Sequence, residues 1–480
     1  MVSESAARKT QPLVWKFWLV IFFAAFIRFF GLGGKQLWVD EIIQAIHSSP
    51  KPLTEMLRAV TEDRGATPLD YVIQHWTVGS LGPSEFTLRL HAAVFGVLTI
   101  AALYCLGRAI SNERTALLAA ALYAVYPLHH HYSQEGRPYA LFTFLTAASY
   151  LVFWKLLSSR RVSLYFGYAA ITTLLLYSNY YAVFVILPQF AFSACLLVPR
   201  FRISLPEVKA VTVSFLSKLL TAIVLAAALF TPWIVFGIRT ISGYEPSPER
   251  FDLKLLFRFI KELSDGSYPL SILLIVFAIF GARRLISERR YGCVVFLLGW
   301  FLLPIPLIFL MLWLKDYFFA IRQILFVTPA LYVLVSLGIF HIAEIIEGKH
   351  KALKSSTAAF LAALVALVSL VQIALHIPDR RDDLKAAGQY LRENVQNSDL
   401  VIAPTIGGPL SYYFPAIHAH LQPVAGLSSL SDALLPGRSA FVVEMTEKEN
   451  LSMDTLVRAR FQTEEVTLRG MKITKIYAAK

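Results

Sequence analysis

The sequence predicts a polytopic α-helical membrane protein of about eleven spans, with interfacial helices in its loops and a small C-terminal extracytoplasmic α/β domain. Three observations carry that prediction. Apolar residues make up 56% of the 480 and charged residues 16%, against about 25% charged in a soluble chain. The apolar residues fall in runs of about 20, the helix length that crosses hydrocarbon. The basic residues recur in every second short loop between those runs, as the positive-inside rule requires.

Taken in order, the runs place spans at about residues 14–34, 88–108, 115–131, 137–157, 162–179, 181–199, 218–238, 268–286, 291–314, 322–346 and 356–377. The first follows Arg8, Lys9 and Lys16 and has no small-residue cleavage site, so it reads as a retained anchor. The third is the shortest, and Ser178-Asn179-Tyr180-Tyr181 marks a tight hairpin. Arg108 and Arg114, Lys155 and Arg160, Arg200 and Lys209, Arg283 and Arg290, and Lys349 and Lys354 share a side with the N-terminus, which is therefore cytoplasmic. The formal charge of +13 is explained by these loops, so no nucleic-acid partner is expected. Cys105, Cys195 and Cys293 are scattered, forming neither a disulfide framework nor a metal set.

Residues 35–87, 129–136, about 239–267, 315–321 and everything after about 378 fall on the opposite, exterior side. Within 35–87, Glu41 to His47 and Leu53 to Val60 have helical apolar spacing, as do Phe251, Leu255, Leu256, Phe259 and Ile260. Such segments either roof a cavity or rest on lipid. From about 378 the composition changes. Asp382 to Glu393 predicts a helix, and Asp399–Ala403 and Ala440–Glu444 predict strands. Thr463–Leu468 and Lys472–Tyr477 predict a hairpin turning at Arg469-Gly470. The chain thus divides into a membrane part, 1–377, and a soluble exterior domain, 378–480.

Candidate chemistry gathers on the exterior side. Asp40-Glu41 follows the first span; a carboxylate there serves as a general base towards a hydroxyl, or else caps an interfacial helix. His129-His130-His131 with Glu135 offers ligands for a divalent metal, together with Asp40 or Glu41; consecutive histidines cannot all face one ion, and the plainer reading is hydrogen-bonded surface residues. Arg137 precedes Pro138 at a helix start, a place suited to anions. Lys315 and Arg322 flank the aromatic stretch Tyr317-Phe318-Phe319, which suits either a lipid phosphate or snorkelling anchors. Arg28 and Arg89 lie in or near spans and need internal partners. Gly31-Leu32-Gly33-Gly34-Lys35 lacks the spacing and preceding strand of a phosphate loop.

Together these motifs resemble the GT-C glycosyltransferases. The resemblance lies in Trp38-Val39-Asp40-Glu41, Thr67-Pro68-Leu69-Asp70-Tyr71 and Ser84 to Leu90, then in Tyr132-Ser133-Gln134-Glu135-Gly136-Arg137-Pro138-Tyr139. It continues in Tyr317 to Arg322 with Pro329-Ala330-Leu331-Tyr332, and in Asp382-Asp383-Leu384-Lys385. The branch it is most similar to is that of the bacterial relatives of protein O-mannosyltransferases and lipid A aminoarabinose transferases. The resemblance implies transfer of a sugar from a polyprenyl-phosphate donor on the exterior face, with Asp40 and Glu41 at the catalytic centre. It also implies a donor phosphate held by Arg137, Tyr139, Lys315, Tyr317 and Arg322, and it leaves a divalent metal on Glu41, His131 and Glu135 as one option. The acceptor would be a lipid, glycan or protein hydroxyl, and the enzyme would sit in a bacterial inner membrane. One departure is Ala66-Thr67-Pro68-Leu69 where the family often has His-Pro-Pro-Leu. The competing class is a transporter or flippase of lipid-linked sugars, which expects broken helices and inverted repeats that the sequence does not show.

Overall fold

The computed structural model describes residues 2–49, 51–62, 66–197, 211–241, 253–315, 320–348, 354–376, 382–396, 398–403, 406–421, 439–446 and 462–477. Helices follow the apolar runs in order. After α1 (Val2–Phe29) the long first loop holds α2 (Val39–Ser48), α3 (Leu53–Glu62) and α4 (Pro68–Leu81). Then come α5 (Glu85–Ile110), α6 (Glu113–Ala124), α7 (Pro127–Tyr132), α8 (Tyr139–Ser159), α9 (Val162–Ser178), α10 (Val183–Cys195) and α11 (Val213–Ile241). The series continues with α12 (Leu253–Glu262), α13 (Tyr268–Ser287), α14 (Tyr291–Leu302), α15 (Pro304–Lys315), α16 (Thr328–Glu347) and α17 (Lys354–Leu375). The helix starts are written locally. Ser84 accepts from the Thr87 amide at 3.1 Å while Thr87 Oγ1 accepts from the Ser84 amide at 2.9 Å, a reciprocal cap on α5.

Seven helices among the described residues are long and apolar enough to cross a membrane: Glu85–Ile110, Tyr139–Ser159, Val213–Gly237, Tyr268–Ser287, Tyr291–Met311, Arg322–Glu347 and Ser356–Leu375. The chain is a multi-pass membrane protein. These seven correspond to seven of the eleven expected spans. Of the other four, Val162–Ser178 and Tyr180–Cys195 are apolar but shorter. The expected segment 115–131 is divided between α6 and α7, because Pro127 forces Tyr126 into an extended conformation (φ −69°, ψ 118°). The segment 14–34 lies largely in α1, which exposes Trp18, Phe22 and Phe26 while burying Ala24 and Arg28. An apolar exposed face opposite a packed one is what a lipid-facing helix requires.

Contacts divide the chain into two compact units, one of residues 1–33 and 48–375, the other of residues 34–47 and 376–480. In the first, α16 is the central helix, with every side chain from Thr328 to Ile339 buried. It packs against α13 at glycines: a Cβ on Gly281 would strike the Leu334 carbonyl, and one on Gly338 would strike that of Phe277. Without a hydrophobic drive between helices in lipid, such close backbone approach supplies the packing energy. Tyr150 stacks on Trp300 at 3.9 Å, and the Trp300 indole donates to the Phe326 carbonyl at 3.1 Å. The two intramembrane arginines find the internal partners they need. Arg28 donates to the Ala24 and Ala124 carbonyls, to Ser133 Oγ and to His129 Nδ1, and Arg89 donates to the Leu32 carbonyl.

The second unit holds α18 (Leu384–Asn394), α19 (Gly407–Tyr413) and a four-stranded sheet of β1 (Leu400–Ile402), β2 (Ser439–Met445), β3 (Gln462–Leu468) and β4 (Met471–Tyr477) in the order β1-β2-β4-β3. β1 pairs parallel with β2, and β4 pairs antiparallel with β2 and β3. The four expected strands and the helix are all present, within two residues at either end. The Arg469-Gly470 turn relies on a left-handed Gly470 (φ 70°).

Candidate active site

Three segments of the first unit converge on one cluster. Pro127 opens α7, a short helix that fans its three histidines apart. His129 turns inward to Arg28, its Nδ1 2.9 Å from the guanidinium. His131 points elsewhere: its Nε2 lies 3.1 Å from Glu135 Oε1 and its Nδ1 3.3 Å from Asp265. Burial works against a charged His131, but the hydrogen bonds to Asp265 and Glu135, with their negative charges, outweigh it and push the imidazole up to about 10. Both carboxylate contacts favour the charged imidazolium. Glu262, one turn before Asp265, is pushed up by burial and by the Asp265 charge.

Asp265 is the member that sequence reading missed. It sits between α12 and α13 in the left-handed region (φ 58°), followed by Gly266 at φ 95°. Aspartate tolerates that region better than most residues, and such strain persists only where surroundings over-determine it. They do so here. The Asp265 carbonyl accepts from Gln372 at 2.6 Å, the Ser264 hydroxyl donates to the Ser267 carbonyl at 2.5 Å, and the Tyr126 hydroxyl donates to the Leu263 carbonyl. The available signal was the Asp-Gly dipeptide between an amphipathic and an apolar helix.

Aromatic rings carry the cluster onward. Tyr132 stacks on His131 with centroids 4.8 Å apart and meets the Tyr139 ring edge-on at 5.1 Å. Arg322, in the 3₁₀ turn Ile321–Val327, donates from Nε to the Tyr139 hydroxyl at 2.7 Å, with its guanidinium 5.7 Å from the ring centre. Arg137 lies in the turn between these parts, its amide donating to the Glu135 carbonyl at 2.8 Å. Of the expected site residues, the structure therefore gathers His131, Glu135, Arg137, Tyr139 and Arg322 into one neighbourhood. Lys315 ends α15, with its side chain outside the described residues, as is all of Tyr317. A further pair was not foreseen: Asp70 and His91, both buried, lie 3.1 Å apart at the starts of α4 and α5.

Asp40 and Glu41 belong to the second unit. Both stand in the first turn of α2, where acidic residues complement the helix dipole. Glu41 is 1% exposed and its Oε2 accepts from the Trp38 amide at 3.3 Å. It therefore closes the helix start from within rather than standing in solvent; Asp40 beside it is half-buried.

Of the expected metal set, His131 and Glu135 meet in the first unit, and Glu41 belongs to the second. Both ring nitrogens of His131 lie beside carboxylates, Nε2 by Glu135 and Nδ1 by Asp265. Among the described residues no group of three or more His, Cys, Asp or Glu is placed to hold a metal.

Comparison with known structures decides the fold. Aminoarabinose transferase ArnT from Cupriavidus metallidurans in the apo state superposes with a TM-score of 0.63 at 11% identity, covering 95% of this chain and 97% of that one. The chain has the GT-C fold. The same ArnT bound to undecaprenyl phosphate gives 0.59 at 11% identity, covering 96% and 98%. The Archaeoglobus fulgidus oligosaccharyltransferase in complex with Zn and sulfate gives 0.51 at 14%, covering 89% and 68%. The family profile of dolichyl-phosphate-mannose-protein mannosyltransferases matches residues 70–236, a stretch of the GT-C fold that includes Asp70, Glu135, Arg137 and Tyr139. No match was found among curated proteins.

Proposed function

We propose that the chain is an integral-membrane glycosyltransferase that moves one sugar from a polyprenyl-phosphate donor to an acceptor hydroxyl on the exterior face, with inversion. The observation that carries this reading is the Arg322–Tyr139 hydrogen bond at 2.7 Å, which ties the late arginine motif to the second loop motif. An arginine fork oriented through one nitrogen suits phosphate oxygens, which it binds in pairs. ArnT, which shares the fold over nearly its whole length, has been solved with undecaprenyl phosphate bound.

The reaction is a single displacement. Asp40 takes the acceptor's hydroxyl proton as the oxygen attacks the anomeric carbon. The bond from that carbon to the phosphate oxygen breaks, and its electron pair leaves on the polyprenyl phosphate. Arg322 and Arg137 stabilise the charge that gathers there, so no general acid is needed. Tyr139 orients Arg322. Glu41 fixes the turn that presents Asp40. One displacement inverts the anomeric centre.

The test is transfer from labelled polyprenyl-phosphate sugars in membranes carrying wild-type chain, Arg322→Gln or Arg322→Lys. Loss of a donor aimed at developing charge costs on the order of 100- to 1000-fold. Both variants should show it, since lysine cannot reproduce the fork. Full activity in Arg322→Gln would refute the phosphate assignment. Wild-type chain that moves labelled lipid across a bilayer without transferring sugar would replace the enzyme reading by a flippase.

A further inference from the structure

The second compact unit contains its own account of why residues 34–47 belong with the C-terminal domain. Gln36, 8% exposed, docks head-on into the start of α18. Its Nε2 donates to the Asp382 carbonyl at 2.9 Å, and its Oε1 accepts from the Lys385 amide at 3.2 Å. The first four amides of a helix lack internal partners, and here a residue 349 positions away satisfies one of them. The next residue is tied as well. The Leu37 amide donates to the Tyr413 hydroxyl at 2.7 Å, and Tyr413 carries the Lys385 ammonium 4.8 Å from its ring centre. Lys35 donates to the His376 carbonyl at 2.8 Å.

The anchor points are themselves held. The Asp383 amide donates to the Arg469 carbonyl at 2.9 Å, Asp383 Oδ1 caps the Ala386 amide at 3.1 Å, and Arg469 pairs with Asp383 at 3.4 Å. Gly470 packs so closely on Asp382 that a Cβ there would collide with its carboxylate. A continuous chain of contacts thus runs from the β3–β4 turn through the start of α18 to Gln36 and Leu37, four and three residues before Asp40.

We propose that the C-terminal unit is a positioning device for the acidic pair, with Gln36 and Tyr413 as the residues through which it acts. The inference rests on the catalytic reading of Asp40 given above. It explains why a membrane transferase carries this small domain: the loop that bears the base is ordered by the domain's helix starts. Gln36 and Tyr413 touch no reacting atom. They act by fixing the backbone that leads into α2, and a shift of about 1 Å in a catalytic group can cost about 100-fold in rate.

The experiment uses the full-length chain and has two arms. Hydrogen–deuterium exchange is followed in wild type, Tyr413→Phe, Gln36→Ala and the control Lys472→Ala, which breaks only the 2.9 Å surface pair with Glu465 in the same sheet. Sugar transfer is measured on the same four proteins. Faster exchange confined to residues 35–47 in the first two variants, with kcat down by up to about 100-fold and donor KM held, is the expected result. Lys472→Ala should match wild type in both arms. Unchanged exchange at 35–47 would overturn the clamp, and faster exchange with unchanged kcat would overturn its catalytic role. A silent wild type across all donors would count against the transferase reading alone, since the exchange arm still decides the clamp.

Discussion

His131 takes its chemistry from neighbours in space rather than from its neighbours in sequence. Three successive histidines suggest metal; in the structure His131 lies between Glu135 and Asp265, whose charges favour its protonated form. The sign of the consequence is definite. A folded pKa of about 10 against an unfolded value near 6.5 means that the ion cluster stabilises fully below about pH 6.5 and loses that contribution as pH rises through about 10. Asp265→Asn should therefore lower stability by about 1.5–3 kcal/mol at neutral pH, the range for hydrogen bonds to charged groups. Thermal unfolding in detergent checks this: wild type and variant should converge above pH 10, and a gap that persists there would assign the loss to something other than the imidazolium. Asp265 was illegible because its partner is 134 residues away, and Arg322 meets Tyr139 across 183. Residue type marked most of these groups as chemical, but spacing could not pair them.

Helices were far more legible than contacts. A run of about 20 apolar residues has few alternatives to a helix in lipid, because every backbone amide must be satisfied internally. Seven expected spans are matched for this reason. At 115–131 one residue, Pro127, divides the run through its effect on Tyr126. The α13–α16 contact yields a prediction at this scale. Gly281→Ala or Gly338→Ala forces the two helix backbones apart and should cost about 1–3 kcal/mol, the usual penalty of overpacking. Thermal melts in detergent test it, with Gly299→Ala as control, because a Cβ on Gly299 meets nothing within 4 Å. Equal melting of all three variants would show that the close approach carries no stability.

Across the whole molecule, the sequence revealed a membrane part and a C-terminal α/β domain, but not that residues 34–47 are compact with the latter. That grouping depends on Gln36 and Leu37, polar and apolar residues without local distinction, meeting Lys385 and Tyr413 more than 340 positions later (349 and 376 apart). The fold is shared with ArnT over 95% of the chain at 11% identity. Architecture is shared where most side chains differ, so function rests on the site rather than on the fold. The proposed chemistry turns on Asp40. The direct measurement is sugar transfer from labelled polyprenyl-phosphate donors by the wild-type chain and Asp40→Asn at equal levels of inserted protein. Removal of a general base should reduce kcat at least about 100-fold with donor binding intact. Near-normal turnover in Asp40→Asn would contradict the account.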